Sequence, residues 1–417
     1  MSVQIAATCA VIVLAAAAPA ALYDALKQPI MAVCVLCFGI PHGALDHIIF
    51  AHLWADSQSS RPPLSESSAQ PAPDAATGEH GDASTPEHTL QAGIFFGTYF
   101  SIMCAWVIGW LFAPLATLAA FLAVSAYHFG ESDLDYIHFS STPIALAAFS
   151  SRGVLVVGLT LASDPALTLP IIQQIVDLSE STFASFCSWA MPLFVAQHAA
   201  VLLALWLTQS STAERTEKPQ DPFTFPSTVL CPTRAVWARE IARACLYVAL
   251  FRLTDPLMGF SIYFGLWHAL GSMSADVVNL KSSKSPWFLP AKPADKLSQP
   301  SPAESEPPQL ADYARAYLLA LPYSLVAITF MGMFYVVSTA AIDAQDSDPA
   351  KPHADVASID PDIARAWAVF VMSIAVLTGP HIWIVAAKHW ATSMSLDPFS
   401  LRTTLRTALQ MGHAKQE

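Results

Sequence analysis

Gly39-Ile40-Pro41-His42-Gly43-Ala44-Leu45-Asp46-His47 lies inside an apolar segment running from about Gln28 to Trp54. Ionisable groups at membrane depth are costly and usually face a cavity or a bound ion rather than lipid. His42 and Asp46 are four residues apart, so they are expected to share a helical face. His47 is five residues from His42 and need not face the same site. Pro41 and Gly43 loosen the hydrogen-bond ladder beside His42, which suits irregular backbone lining a site.

The segment is typical of the whole chain. Of 417 residues, 54% are hydrophobic and 12% charged, against about 25% charged in soluble domains. Segments long enough to cross a bilayer as helices fall near 3–22, 28–53, 90–112, 114–138, 143–162, 183–207, 235–255, 256–276, 311–340 and 362–392. Only helices satisfy their own backbone in lipid, and the alternating strands of a barrel are absent. The expected fold is therefore an all-α, polytopic transmembrane helix bundle of about 8–10 spans. Residues 6–22 resemble a signal peptide, but no Lys or Arg precedes Lys27, so they are read as the first span.

Polar linkers near 55–89, 209–233, 279–310 and 342–360 are rich in Ser, Pro, Asp and Glu. They lack the apolar surface needed to fold and are expected to be disordered. Residues 1–395 then form one membrane-embedded catalytic domain, with a cytoplasmic tail at 396–417. Basic residues in the tail and in two linkers mark the cytoplasmic side. His80, His88 and His353 fall in linkers and read as solvated. The net charge of −12 comes largely from these linkers, and no basic stripe points to nucleic acid. The cysteines have neither zinc-ribbon nor disulfide spacing. Cys34 and Cys37 read as small packing residues.

Five histidines recur at similar depth. His42, His128, His198 and His268 lie 12 to 15 residues from the starts of alternate apolar runs, and His381 lies 14 from Trp367, a few residues inside the start of the last run, so that the five are level to within about one helical turn, roughly 5 Å. A single histidine in a bundle commonly satisfies an interhelical hydrogen bond; five at one level point to a metal or cofactor site. Neutral imidazoles without thiolate suit iron, zinc, copper or nickel. Asp46, and Glu131 or Asp133 beside His128, are candidates to accept the second ring N–H. Tyr127, Phe129, Tyr263, Phe264 and Trp267 are expected to wall an apolar cavity for a long hydrophobic substrate.

Taken together, Pro41-His42-Gly43-Ala44-Leu45-Asp46, His128-Phe129-Gly130-Glu131-Ser132-Asp133, the aromatic run from Tyr263 to His268, and Leu377-Thr378-Gly379-Pro380-His381 resemble motifs of the bacteriorhodopsin-related (Brp/Blh-type) β-carotene 15,15′-dioxygenase family. The resemblance implies a multi-pass membrane enzyme, in the cell membrane if prokaryotic. It would use Fe(II) and O₂ to cleave the central double bond of β-carotene into two retinals. A rhodopsin that receives retinal is a candidate partner. Family members hold iron with four histidines, which carries over to His42, His128 and His268. The fourth comes from an H-x-x-x-H pattern, but here that position is Ser272. His381 is ranked first as its substitute and His198 second, with Asp46 as the catalytic carboxylate. The alternatives are a haem-binding electron-transfer protein, a transporter with an Asp/His proton relay, or a catalytically impaired member of the family. No desaturase-type di-iron histidine pattern is present.

Overall fold

The computed structural model describes residues 2–59, 85–137, 139, 141–208, 233–282, 309–346 and 360–393. The expected tail and most of each polar linker lie outside the described residues, as do His80 and His353. Every apolar segment is helical: α1 (Ser2–Ala17), α2 (Ala20–Ala32), α3 (Ile40–Gly43), α4 (Asp46–Ser59), α5 (Thr85–Phe112), α6 (Pro114–Leu134) and α7 (Thr142–Ala162). They are followed by α8 (Pro165–Gln173), α9 (Glu180–Thr208), α10 (Arg234–Leu253), α11 (Pro256–Ile262), α12 (Leu270–Ser282), α13 (Leu310–Asp346) and α14 (Pro361–Ser393). Two π-helical segments, Val33–Gly39 and Tyr263–Ala269, join α2 to α3 and α11 to α12. The short helix α8 has no counterpart in the sequence reading.

The chain is an all-α polytopic bundle. Among the described residues six helices are long and apolar enough to cross a bilayer: Ala20–Trp54, Gln91–Phe112, Thr142–Ala162, Glu180–Leu207, Leu310–Val337 and Pro361–Ala387. The other four segments are helical, but α1 is short. The rest carry polar residues within the apolar run: His128 and Glu131 in α6, Arg239, Glu240 and Arg243 in α10, and His268 and its neighbours after α11. Helices also extend into the edges of the linkers, because each added residue gains a backbone hydrogen bond once a helix exists. His88 accordingly falls in the opening turns of α5 rather than in a loop. The end of α12 lies beside the start of α13, since Lys281 Nζ pairs with Asp312 at 2.9 Å.

Two close crossings position the site. Helix α14 packs against α5, α13, α8 and α6, while α6 and α7 form the most extensive helix pair. In that pair a Cβ on Gly130 would meet the Phe149 carbonyl oxygen at 1.7 Å, and one on Gly153 the Ala126 oxygen at 1.4 Å. Small residues let two backbones touch in this way. Gly153→Ala is expected to lower stability by about 1–3 kcal/mol through overpacking. A depressed thermal midpoint should report it, while Gly97→Ala, with nothing within 4 Å of its Cβ, should leave the midpoint in place.

The second crossing joins the two π-helical segments. A Cβ on Gly265 would lie 2.6 Å from the Cys34 carbonyl oxygen. Cys34 is buried there and Cys37 exposed, both as free thiols. Helix α1 is tied to the same place, with Gln4 Nε2 donating to the Leu266 carbonyl at 2.8 Å and Trp267 Nε1 to Thr8 Oγ1 at 2.9 Å.

Candidate metal centre

Each of four histidines sits beside a local departure from regular helix or a close packing point. His42 follows the first π-helical segment and Pro41. Proline has no N–H to donate and crowds the preceding turn, and a widened turn relieves both demands. His268 lies within the second π-helical segment, whose extra residue per turn rotates later side chains relative to a regular helix. His381 follows Gly379 and Pro380 inside α14, where a Cβ on Gly379 would reach Trp106 Nε1 at 2.0 Å. His128 precedes Gly130, where α6 meets α7.

These devices bring the four imidazoles together. Ring centroids lie 5.3 Å apart for His42 and His268, 4.6 Å for His42 and His381, 4.9 Å for His128 and His268, and 5.1 Å for His128 and His381. Ligand nitrogens of His42, His128 and His268 all lie within 4.8 Å of one another. All four residues are buried. Both ring nitrogens of His128, and Nδ1 of His268, are buried with no hydrogen-bond partner among the described residues. Such orphaned nitrogens are uncommon and call for a ligand. A buried, neutral, all-imidazole donor set fits a transition metal ion.

The remaining candidates separate. His381 Nδ1–H donates to Asp46 Oδ1 at 2.7 Å, and the Tyr99 hydroxyl donates to Asp46 Oδ2 at 3.3 Å. Asp46 therefore orients His381, from the start of α4, after a break in the helix at Ala44 and Leu45. Asp46→Asn is expected to weaken metal binding about 10–100-fold, the usual effect of removing a carboxylate behind a ligating histidine. Metal content of the purified variant checks this.

His198 shares a hydrogen bond with Ser151 Oγ at 3.0 Å and makes no ring contact with the four. Its similar depth placed it at the right level, but the wrong lateral position. Glu131 accepts from the Tyr127 hydroxyl, and Asp133 from the Tyr247 hydroxyl at 3.4 Å; both are corrected as partners of His128. His47 Nδ1–H donates to the Ala44 carbonyl at 2.9 Å, and its ring stacks on Tyr323. Ser272 does not line the cavity beside the cluster, whereas His381 does, with its ring against those of His42 and His128.

That cavity has a volume of about 650 Å³ and is walled almost wholly by carbon. All four histidines and Asp46 open onto it. Of the five aromatics expected in its wall, Phe129 and Phe264 are there, together with Phe121, Phe260, Phe330 and Phe370. Tyr127, Tyr263 and Trp267 are not, because Tyr263 and Trp267 pack edge-on against Tyr247 and Tyr127 against Phe149.

A family model described as beta-carotene 15,15′-dioxygenase matches residues 84–389, well over half of the chain. The chain belongs to this family. The match takes in His128, His268 and His381, whereas His42 and Asp46 precede it, so the dioxygenase assignment and the geometry of the N-terminal motif are separate observations. No curated protein and no solved structure matches the chain.

Behind the centre lies a polar cluster that sequence reasoning did not assemble. The fully buried Arg152 of α7 pairs with Glu240 of α10, and its Nε lies 4.0 Å from Asp133. Glu240 also accepts from the Tyr136 hydroxyl and from Arg243 Nη1, the latter at 3.4 Å. The available signal was Arg152 itself, a cation in the middle of an apolar run, which demands a buried partner.

Proposed function

We propose that the chain is a membrane oxygenase that cleaves β-carotene at its central 15,15′ double bond, using Fe(II) and O₂ and releasing two retinals. The observation that carries this reading is the convergence of four buried imidazoles on the wall of one apolar cavity, in a member of this family. His42, His128, His268 and His381 would hold the iron, which when bound supplies a place for O₂ beside the substrate. Four imidazoles crowding one point also favour a single ion over a haem, whose ring needs a clear plane between two axial histidines.

The chain's own residues do the rest. The cavity is within the range of small-molecule sites, and its apolar walls suit a polyene and exclude water. Phe96, Phe100 and Val326 line the cavity and are exposed on the outside of the bundle. Helices α5 and α13, which carry them, each pack on α14, and the gap between the two offers entry from lipid. Asp46 accepts the Nδ1–H hydrogen bond of His381, which leaves Nε2 as the ligand atom. The reaction balances without a reductant: one C=C and one O=O bond are lost, and two C=O bonds form. A retinal-binding protein such as a rhodopsin would be the acceptor.

Expression in β-carotene-accumulating cells tests this. Retinal should appear as carotene disappears. Carotene left intact by folded, iron-loaded protein would overturn the proposal.

A further inference from the structure

Five serines of the described helices are buried: Ser125, Ser151, Ser261, Ser324 and Ser373. In an apolar helix a serine hydroxyl ordinarily bonds back to a carbonyl in its own preceding turn. Four of the five do so, Ser151 to Ala148 at 3.0 Å, Ser261 to Leu257 at 2.8 Å, Ser324 to Ala320 at 2.9 Å and Ser373 to Val369 at 2.8 Å. Ser125 does not. Its Oγ is buried with no hydrogen-bond partner among the described residues. Ser125 lies one turn before His128 on α6, and both line the apolar cavity. Residues three apart on a helix are neighbours, so this hydroxyl stands beside the imidazole cluster.

A buried hydroxyl without a partner is unfavourable, and the carbon walls of the cavity offer it little. A hydrocarbon polyene offers it nothing. An oxygen atom delivered to the polyene beside the cluster would accept from it. We propose that Ser125 is a hydrogen-bond donor to the product aldehyde oxygen, so that the site holds the cleaved, oxygenated product more tightly than a site without the hydroxyl would. This rests on the reading of the chain as a carotene-cleaving oxygenase, and assigns Ser125 to oxygen recognition rather than to metal binding.

The test uses metal-loaded, full-length protein without O₂, with all-trans-retinal and β-carotene as separate probes. In the native protein the C=O stretch of bound retinal should lie below that of retinal in the same lipid alone. Ser125→Ala should raise the stretch again and weaken retinal binding roughly 3- to 10-fold, the range of one hydrogen bond. Metal content and affinity for β-carotene, which has no oxygen, should not change. An unchanged stretch with unchanged relative affinities overturns the assignment of Ser125 while leaving the oxygenase reading intact. Native protein that binds neither probe overturns both. Should Ser125→Ala fail to load metal, Ser125→Cys keeps a similar volume with a weaker donor. An intermediate stretch then supports the proposal, and a native one overturns it.

Discussion

His42→Ala is expected to lose bound metal and retinal formation together, with metal affinity falling more than about 100-fold, beyond the usual effect of disturbing only a ligand's support. His42 is the residue that joins the N-terminal motif to the rest of the site. Its ring lies against both His268 and His381. His47 is stacked on Tyr323 and His198 is bonded to Ser151. His47→Ala and His198→Ala should therefore retain metal, which separates loss of a ligand from a general effect of removing buried imidazole. The comparison is sharp because the family match begins at residue 84. Folded His42→Ala protein with full metal content would reduce the site to His128, His268 and His381, and the opening motif would need another role.

The sequence made the bundle and the histidine level legible for physical reasons. Long apolar runs admit few structures in lipid, and histidine inside such runs is rare enough to count. Pro41 and Pro380 marked two of the four backbone departures. The π-helical segments carried no such mark in Val33–Gly39 or Tyr263–Ala269. They arise where two backbones meet at Gly265 and Cys34, a contact between residues more than two hundred positions apart. For the same reason depth alone did not exclude His198, because the 3.6-residue period fixes height along a helix but not which neighbour lies across it. Tyr99 was not recognisable as the donor to Asp46, since a tyrosine in an apolar run is more often packing. Glu131 and Asp133 show the converse error. Adjacency to His128 in sequence suggested partnership, but Glu131 accepts from Tyr127 and Asp133 from Tyr247.

Arg152→Met is expected to destabilise the protein by about 3–5 kcal/mol, the cost of leaving a buried charge without its partner. Arg152 and Arg243 balance Glu240 and Asp133 in the cluster, so removing one cation leaves an uncompensated negative charge among α6, α7 and α10. A purified variant should unfold at lower temperature and yield less folded protein. Arg152→Met combined with Glu240→Met should recover part of the loss, because replacing a whole buried pair with apolar groups is far less costly than breaking it. Equal losses in the single and double variants would mean that packing, not charge, is what Arg152 supplies. The effect should also reach the metal centre. Tyr263 packs edge-on against both Tyr247 and Phe129, and Phe129 in turn against His268, while Arg152 lies over the Tyr247 ring. Loosening the ion cluster therefore frees the aromatic layer that holds His268 in place. Metal affinity of Arg152→Met should fall even at temperatures where the protein remains folded, and the double variant should regain metal as it regains stability.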